Sequence, residues 1–476
     1  SQLDKFALYQ GQFERPLNTA GITRRYLSAL RDMVITDGID VPITSCPGDG
    51  KLSGLGGVAD IVPMPNMYPG LGAGKPEKTV FSLLQKMHDP LLNHGIYVNF
   101  PSGTTETDRV PANIKRMLMA GLDATFAFNV FGTHQDGYRN GMALNTDSIK
   151  ALIDTADKRS LSEKMAGVQV GYYHSVTDFN GAVSPSGGHR EMFYDFRRDN
   201  GFFDTVTPWL APQSQAHRSG YQLPGGDTAL SISQPEIGTK EGFYHVHYWM
   251  QHADGAAFIS LVNESQSNQI IPVNGIHFNS TQIPQYAPLT IPLKNFEGKP
   301  QFGNVDLSNA IVLTYDLPIS NMGKLHYSTS EMMWLRPFND ETLLLLHGQT
   351  GTAGELALSQ MANLQITHAD AGITVQSQSP STLVVTYTHG EPQQLLLTDA
   401  NGHRLRVLIT DSPTAGRAWM LDDAKPQALV VGADYIDQDT LVRTAQGVQL
   451  TLDHSQSPRS IYVISPGTAS GDGTQI

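Results

Sequence analysis

The sequence predicts an α/β half followed by an all-β half. Up to about residue 205, short apolar runs alternate with helix-like stretches, the pattern of a parallel sheet with helices outside. Beyond it, helical periodicity largely disappears, and short alternating runs separated by turn dipeptides take over, as in β-sandwich domains. The opening adds a third observation. Residues 6–14, Phe-Ala-Leu-Tyr-Gln-Gly-Gln-Phe-Glu, read as a short buried strand ending in a carboxylate. That is the layout of a (β/α)8 barrel, whose chemistry sits where strands end.

In the first half, strands are expected at 6–10, 40–45, 58–64, 95–100 and 123–130. Asn18 and Thr19 can cap a helix whose apolar face carries Tyr26, Leu27, Leu30 and Met33, and Asp37-Gly38 stops it. Pro111 suits the first turn of another helix and Gly121 its C-terminal stop. These make about five βα units, whereas a closed barrel needs eight strands and ~250 residues. The expectation is therefore the C-terminal part of a TIM barrel, with about three strands preceding Ser1.

In the second half, residues 244–262 read as a hairpin turning at Asp254-Gly255. Residues 341–347, Glu-Thr-Leu-Leu-Leu-Leu-His, read as a core strand, and 382–388, 393–398, 404–410, 428–432, 448–452 and 459–464 continue the series. The expected division is a partial barrel over 1–205, a β-rich domain over 206–350 and a β-sandwich-like domain over 351–476 with a mobile tail.

Composition narrows the function. Lys+Arg 32 against Asp+Glu 45 gives −13, so nucleic acid and anionic lipid are poor partners. No stretch of 18 apolar residues is present, so no membrane span is expected. The single Cys46 excludes an internal disulfide framework and any multi-thiolate metal site. Ser-Gln-Leu-Asp-Lys at the start reads as processed, trimmed or truncated rather than as a signal peptide.

Leu8 to Glu14, Asp60 to Gly70, Gly132 to Gly141 and Tyr327 to Glu331 are among a series of segments that together resemble glycoside hydrolase family 35, the β-galactosidases. Leu8-Tyr9-Gln10-Gly11-Gln12-Phe13-Glu14 is similar to the family's acid/base strand, which reads Tyr-Gln-x-Glu-Asn-Glu. Tyr26 to Met33 with Gly38 to Cys46 resembles its next helix and strand, and Asp60 through Tyr68-Pro69-Gly70 its Asp…Tyr-Pro segment. Gly132-Thr133-His134 through Gly141 resembles its Gly-Gly-Thr-Asn loop, and Val176-Thr177-Asp178-Phe179 its Thr-Ser-Tyr-Asp-Tyr run. Tyr327-Ser328-Thr329-Ser330-Glu331 and Leu344 through Gly348 to Gly354-Glu355-Leu356 are similar to its first β-rich domain, fungal type. The segments fall in order over most of residues 6–360.

The resemblance implies retaining hydrolysis of a terminal β-galactoside by two carboxyl groups ~5–5.5 Å apart, with no cofactor and no metal. It puts the acid/base at Glu14 and a sugar contact at Tyr68; read without it, Glu14 is a surface carboxylate and Tyr68 a packing residue. Two departures stand out. Phe13 replaces the family's asparagine and cannot hydrogen-bond a sugar hydroxyl. Asn99, in Tyr97-Val98-Asn99-Phe100-Pro101, stands where the nucleophile should be, and a neutral amide cannot form the glycosyl-ester intermediate. Glu106, in the following loop, is one replacement; a sugar-binding Asn99 in a site without a nucleophile is the other reading, and a strand-capping Asn99 the plainest. Phe100 and Thr177 join Phe13 and Tyr68 as candidate substrate contacts.

Other motifs weigh less. His245 and His247 share a strand face, with His252 near the turn, but no carboxylate or thiolate is placed beside them to complete a metal site. Gly50 to Gly57 and Gly348 to Gly354 lack the helix and Lys-Ser/Thr of a phosphate loop. Asn263-Glu-Ser and Asn279-Ser-Thr are glycosylation sequons. No Gly-x-Ser-x-Gly elbow is present. The expected function is a β-galactosidase-like hydrolase taking an oligosaccharide or polysaccharide with terminal β-galactose, secreted or periplasmic. The alternatives are a catalytically inactive carbohydrate-binding relative and a structural or adhesive β-protein.

Overall fold

The computed structural model describes residues 28–29, 32–33, 36, 61–63, 95–101, 115, 124–128, 189, 191–218, 230–232, 246–253, 256–263, 268–278, 281–292, 309–421, 428–444, 447–453 and 460–464. The expected strands at 6–10 and 40–45 lie outside these residues. Three others of the first half are present as β1 (Ile61–Pro63), β2 (Gly95–Pro101) and β3 (Ala124–Phe128). They pair in parallel in the order β1-β2-β3. Adjacent parallel strands in sequence order need a crossover between each pair. Lys115, between β2 and β3, is helical, as the Pro111 signal predicts. In the helix expected after Thr19, Thr36 Oγ1 donates to Asp32 O at 2.6 Å. Met33, assigned to its apolar face, is instead 62% exposed; a single surface methionine is ordinary, because apolar residues are not confined to cores.

Helix α1 (Glu191–Arg218) follows. It runs through residue 205, where helical character was expected to end. Pro208, Pro212 and Gly201 lie inside it and disguise it in the sequence. Its buried residues Tyr194, Phe202 and Val206 face the β half.

The strands of that half are, in order, β4 (Leu230–Ile232), β5 (Val246–Ala253), β6 (Ala256–Asn263), β7 (Gln269–Ile271), β8 (Ile276–Phe278), β9 (Thr281–Ile283) and β10 (Leu289–Ile291). Then come β11 (Asn309–Ile319), β12 (Gly323–Ser328), β13 (Glu331–Phe338), β14 (Glu341–Gly348), β15 (Ala353–Ser359) and β16 (Gln365–Ala369). Next are β17 (Thr374–Gln378), β18 (Leu383–Thr388), β19 (Gln393–Thr398), β20 (Arg404–Asp411) and the short helix α2 (Ser412–Gly416). The last are β21 (Ala418–Leu421), β22 (Ala428–Val431), β23 (Tyr435–Thr444), β24 (Gly447–Asp453) and β25 (Tyr462–Ile464). The expected hairpin is present: Ala253 opposes Ala256, which leaves Asp254-Gly255 as the connection.

Two sheets form the sandwich. One has seven strands in the order β17-β18-β15-β12-β11-β6-β5, the other five in the order β13-β14-β20-β19-β16. Between them lies a core of Phe258, Val312, Leu325, Leu344, Leu346, Leu356, Val385, Leu397, Val407 and Ile409, closed at one end by Phe202 and Val206 of α1. The alternate residues on β14, Leu343 and Leu345, face a second core with Met333, Phe338, Leu408, Ala418 and Leu429. That double duty explains why the strand is an unbroken leucine run rather than an alternation. The outer face of the seven-stranded sheet buries Ile259, Leu261, Ile311 and Leu313 against Ile271, Ile276, Phe278 and Leu289. Position 350, the expected division, lies in the turn between β14 and β15, and strands on both sides of it share the central core.

Candidate functional site

The expected site residues fall unevenly. Asn99 and Phe100 are on β2, opposite Phe126 and Ala127 of β3. They sit at the C-terminal end of a parallel strand, where open α/β sheets and barrels place their chemistry. Phe13, Glu14, Tyr68, Glu106 and Thr177 lie outside the described residues. His247 and His252 are on β5, opposite Val262 and Ala257. No group of three or more His, Cys, Asp or Glu able to hold a metal occurs among the described residues. The sequon at Asn263 is closed to a glycan in this fold: its side chain is buried and donates to Ile291 O at 3.0 Å.

What the structure brings together is the set of motifs from the β half. Tyr327-Ser328-Thr329-Ser330-Glu331 joins β12 to β13, where it meets Gly354 and Glu355. Glu355 is fully buried. Its Oε1 accepts from the backbone N–H of Gln285 at 2.8 Å, and its Oε2 from those of Tyr286 and Ala287, both at 2.8 Å. The Tyr327 hydroxyl also donates to Oε1. Burial, with the Glu355 carboxylate beside it, raises the Tyr327 phenol well above its usual range, so it stays a donor. Thr329 Oγ1 accepts from Glu355 N at 2.8 Å. Four donors on one buried carboxylate offset its desolvation and fix the 285–287 loop.

Beside it runs a second polar chain. Ser330 Oγ is 2.7 Å from the Tyr387 hydroxyl and 2.7 Å from His389 Nε2. His389 Nδ1 faces Thr352 O at 2.9 Å. Burial pushes the His389 imidazole down to about 4, against the carbonyl of Thr352, so it is neutral at ordinary pH. Nδ1–H then donates to Thr352 O and Nε2 accepts from Ser330. A Ser–His hydrogen bond is half of a nucleophile pair, but no carboxylate among the described residues is hydrogen-bonded to this histidine, and both residues are buried. The chain is a packing device. The Gly348 to Gly354 stretch serves it: a Cβ on Gly348 would lie 2.5 Å from His389 Cε1, and one on Gly354 2.2 Å from Tyr387 Cε2.

Two charge clusters went unseen in the sequence. Lys115 meets Asp199 of α1 and Glu331 of β13. Arg417 donates to Glu191 Oε1 at 2.6 Å and to Asp434 Oδ1 at 2.7 Å, with its guanidinium 3.7 Å above the Tyr194 ring. Neither had a local signal: Lys115 stands beside Arg116, and such a pair reads as an exposed helix face.

Residues 303–417 match the family model described as "Beta-galactosidase, domain 2". The match takes in β11 through α2: all five strands of one sheet of the sandwich, five of the seven of the other, and the Tyr327–Glu331 and Gly354–Glu355 motifs. No curated protein matches the chain. Among solved structures, a gamma-CGTase from alkalophilic Bacillus clarkii aligns at 12% identity, over 75% of this chain and 59% of its own, with a TM-score of 0.13. A glycosyl hydrolase family 2 (GH2) member from Bacteroides cellulosilyticus aligns at 9% identity, over 74% of this chain and 48% of its own, with a TM-score of 0.12. The chain spans about half to three-fifths of those two chains, and at such scores neither carries an argument about fold. The chain therefore carries a β-galactosidase-related β-domain, next to a parallel sheet.

Proposed function

We propose that this chain serves a retaining glycoside hydrolase that cleaves terminal β-galactosides of an oligosaccharide or polysaccharide outside the cytoplasm. The observation that carries this reading is the match of residues 303–417 to domain 2 of β-galactosidase. It is joined by the sequence resemblance to family 35 and by the position of Asn99 near the end of β2. Glu14 acts as general acid/base: it protonates the leaving oxygen while Glu106, in place of Asn99, attacks the anomeric carbon to form the glycosyl ester, and it then activates the water that releases the sugar from Glu106. Phe13, Tyr68, Phe100 and Thr177 face the sugar. No cofactor or metal enters the chemistry.

Asn99 favours a second reading, a carbohydrate-binding relative without turnover, because an amide is no nucleophile. Hydrolysis of aryl β-galactosides, measured beside galactoside affinity, separates the two. Under the first, Glu14→Gln lowers turnover by about 10²–10⁴-fold and leaves affinity nearly intact. Under the second, the wild-type chain binds without hydrolysing, and Asn99→Glu gains turnover by filling the vacant position. Hydrolysis unaffected by Glu14→Gln would sink the assignment of Glu14.

A further inference from the structure

Three parts of the chain far apart in sequence meet at one buried cluster of charges. Lys115 comes from the crossover between β2 and β3, Asp199 from α1 and Glu331 from the first position of β13. Lys115 Nζ lies 3.1 Å from Asp199 Oδ1 and 2.7 Å from Glu331 Oε1, and it donates to Ala310 O at 3.2 Å. Glu331 Oε1 also accepts from Val312 N at 3.0 Å. Lys115 and Asp199 are each 7% exposed. Two carboxylates share one ammonium where water hardly enters, so with both ionised the cluster holds one uncompensated negative charge. Such a surplus is costly away from water, and a single proton removes it.

We propose that Lys115, Asp199 and Glu331 form a proton-responsive joint between the β-sandwich and the crossover that follows β2, tightened when Asp199 takes up a proton. The neighbouring charges support Asp199 as the responsive member. On its own helix, Arg198 is paired with Asp195 and donates to Ser412 O of α2 at 2.8 Å. From β14, His347 is kept neutral by burial and by Arg198 and Lys115. Asp411, capping α2, is occupied by Thr414 N and Thr350. β5, which also packs on α1, carries His247 and His252, whose side chains lie outside the described residues. Burial pushes the Asp199 carboxyl up to about 6; Lys115 pulls the other way and Glu331 adds to the rise. The opposed pull of two carboxylates holds Lys115 protonated despite its burial. Since the folded-state value of Asp199 is raised above 3.8, its contribution is fully present in acid and is lost as pH climbs through about 6. The joint is tightest in mild acid.

Hydrogen exchange of the full chain between pH 5 and 7.5, corrected for intrinsic exchange chemistry, tests this. In the wild type, exchange around residue 115 and along α1 rises with pH through about 6, by no more than about tenfold per pH unit, the limit for one proton. Asp199→Asn, a neutral mimic of the protonated acid, keeps exchange slow and flat. Glu331→Gln, which removes one of the two anions, moves the midpoint to lower pH and keeps the proposal open to refutation should the Asn variant fail to fold. A flat wild-type profile, the same rise in Asp199→Asn, or an unmoved midpoint in Glu331→Gln would overturn it. None of these readouts depends on hydrolysis, so the joint and the proposed activity stand or fall separately.

Discussion

Glu355 shows what one side chain can impose on a chain segment 70 residues away. It holds three successive backbone N–H groups and the Tyr327 hydroxyl, so Glu355→Ala strips the 285–287 loop of its partners. Unsatisfied groups near a buried site cost about 1–3 kcal/mol each. A loss of about 3 kcal/mol in urea unfolding is expected, with faster exchange at 285–287 and little change in the central core. His389 makes a prediction about pH. Its folded-state value of about 4 lies below the ordinary 6.5. Its contribution is therefore complete above 6.5 and is lost as pH falls toward 4, by up to about 3 kcal/mol. Asp199 runs in the opposite sense over an overlapping range. His389→Gln, which keeps an acceptor for Ser330, should flatten the acid limb of unfolding free energy against pH; an unchanged limb would assign that limb to other groups.

Among the elements, β14 is the clearest link between pattern and packing. Leu343 and Leu345 serve one core, Leu344 and Leu346 the other, and all four are fully buried. Leu344→Ala should cost about 2–5 kcal/mol by thermal or urea unfolding, whereas the same truncation at exposed Val375 should cost little. The following turn separates two roles of glycine. Gly351 has φ +78 and open space around it, so Gly351→Ala should cost about 1 kcal/mol, from backbone strain alone. Gly354→Ala drives a methyl into the Tyr387 ring, which its hydroxyl bond to Ser330 holds in place, and about 1–3 kcal/mol or more is expected. Strands of this kind were legible because their periodicity is local: the Asp254-Gly255 hairpin and the runs expected at 382–388, 393–398 and 404–410 fall on observed strands to within a residue. No helix is singled out in the sequence at α1, which carries Gly201, Pro208 and Pro212 inside it although Phe202 and Val206 pack into the sandwich. The candidate site was legible only as far as β2 takes it. Asn99 is visible at a strand end, but Lys115, Asp199 and Glu331 meet across up to 216 residues, and no local pattern encodes that encounter.

For the whole molecule, α1 is the element that ties its parts together, and it is anchored twice. Near its start, Glu191 and Tyr194 hold Arg417, whose Nε also reaches Asp434. Arg197 donates to Gly416 O and Ala418 O, both at 2.7 Å, and stacks 3.6 Å over the Trp419 ring. One turn further on, Asp199 holds Lys115, and Phe202 and Val206 enter the central core. The first anchor therefore reaches the β21–β23 end and the second the β2–β3 crossover. Such anchors make a helix open with the sheets it joins rather than fray alone. Removing one should uncouple that opening. In Arg417→Met, an apolar side chain is kept at the position while the guanidinium over Tyr194 that pairs Glu191 and Asp434 is gone. Asp434, 14% exposed at its side chain, then loses a charged partner, and breaking a buried pair is worth about 3–5 kcal/mol at the upper limit. The expected result is faster hydrogen exchange over residues 191–197 and 434–437, with protection unchanged at β14 and β20. An equal rise at Leu344 and Val407 would mean instead that the helix and the sandwich open as a single unit and that the anchors do not act separately.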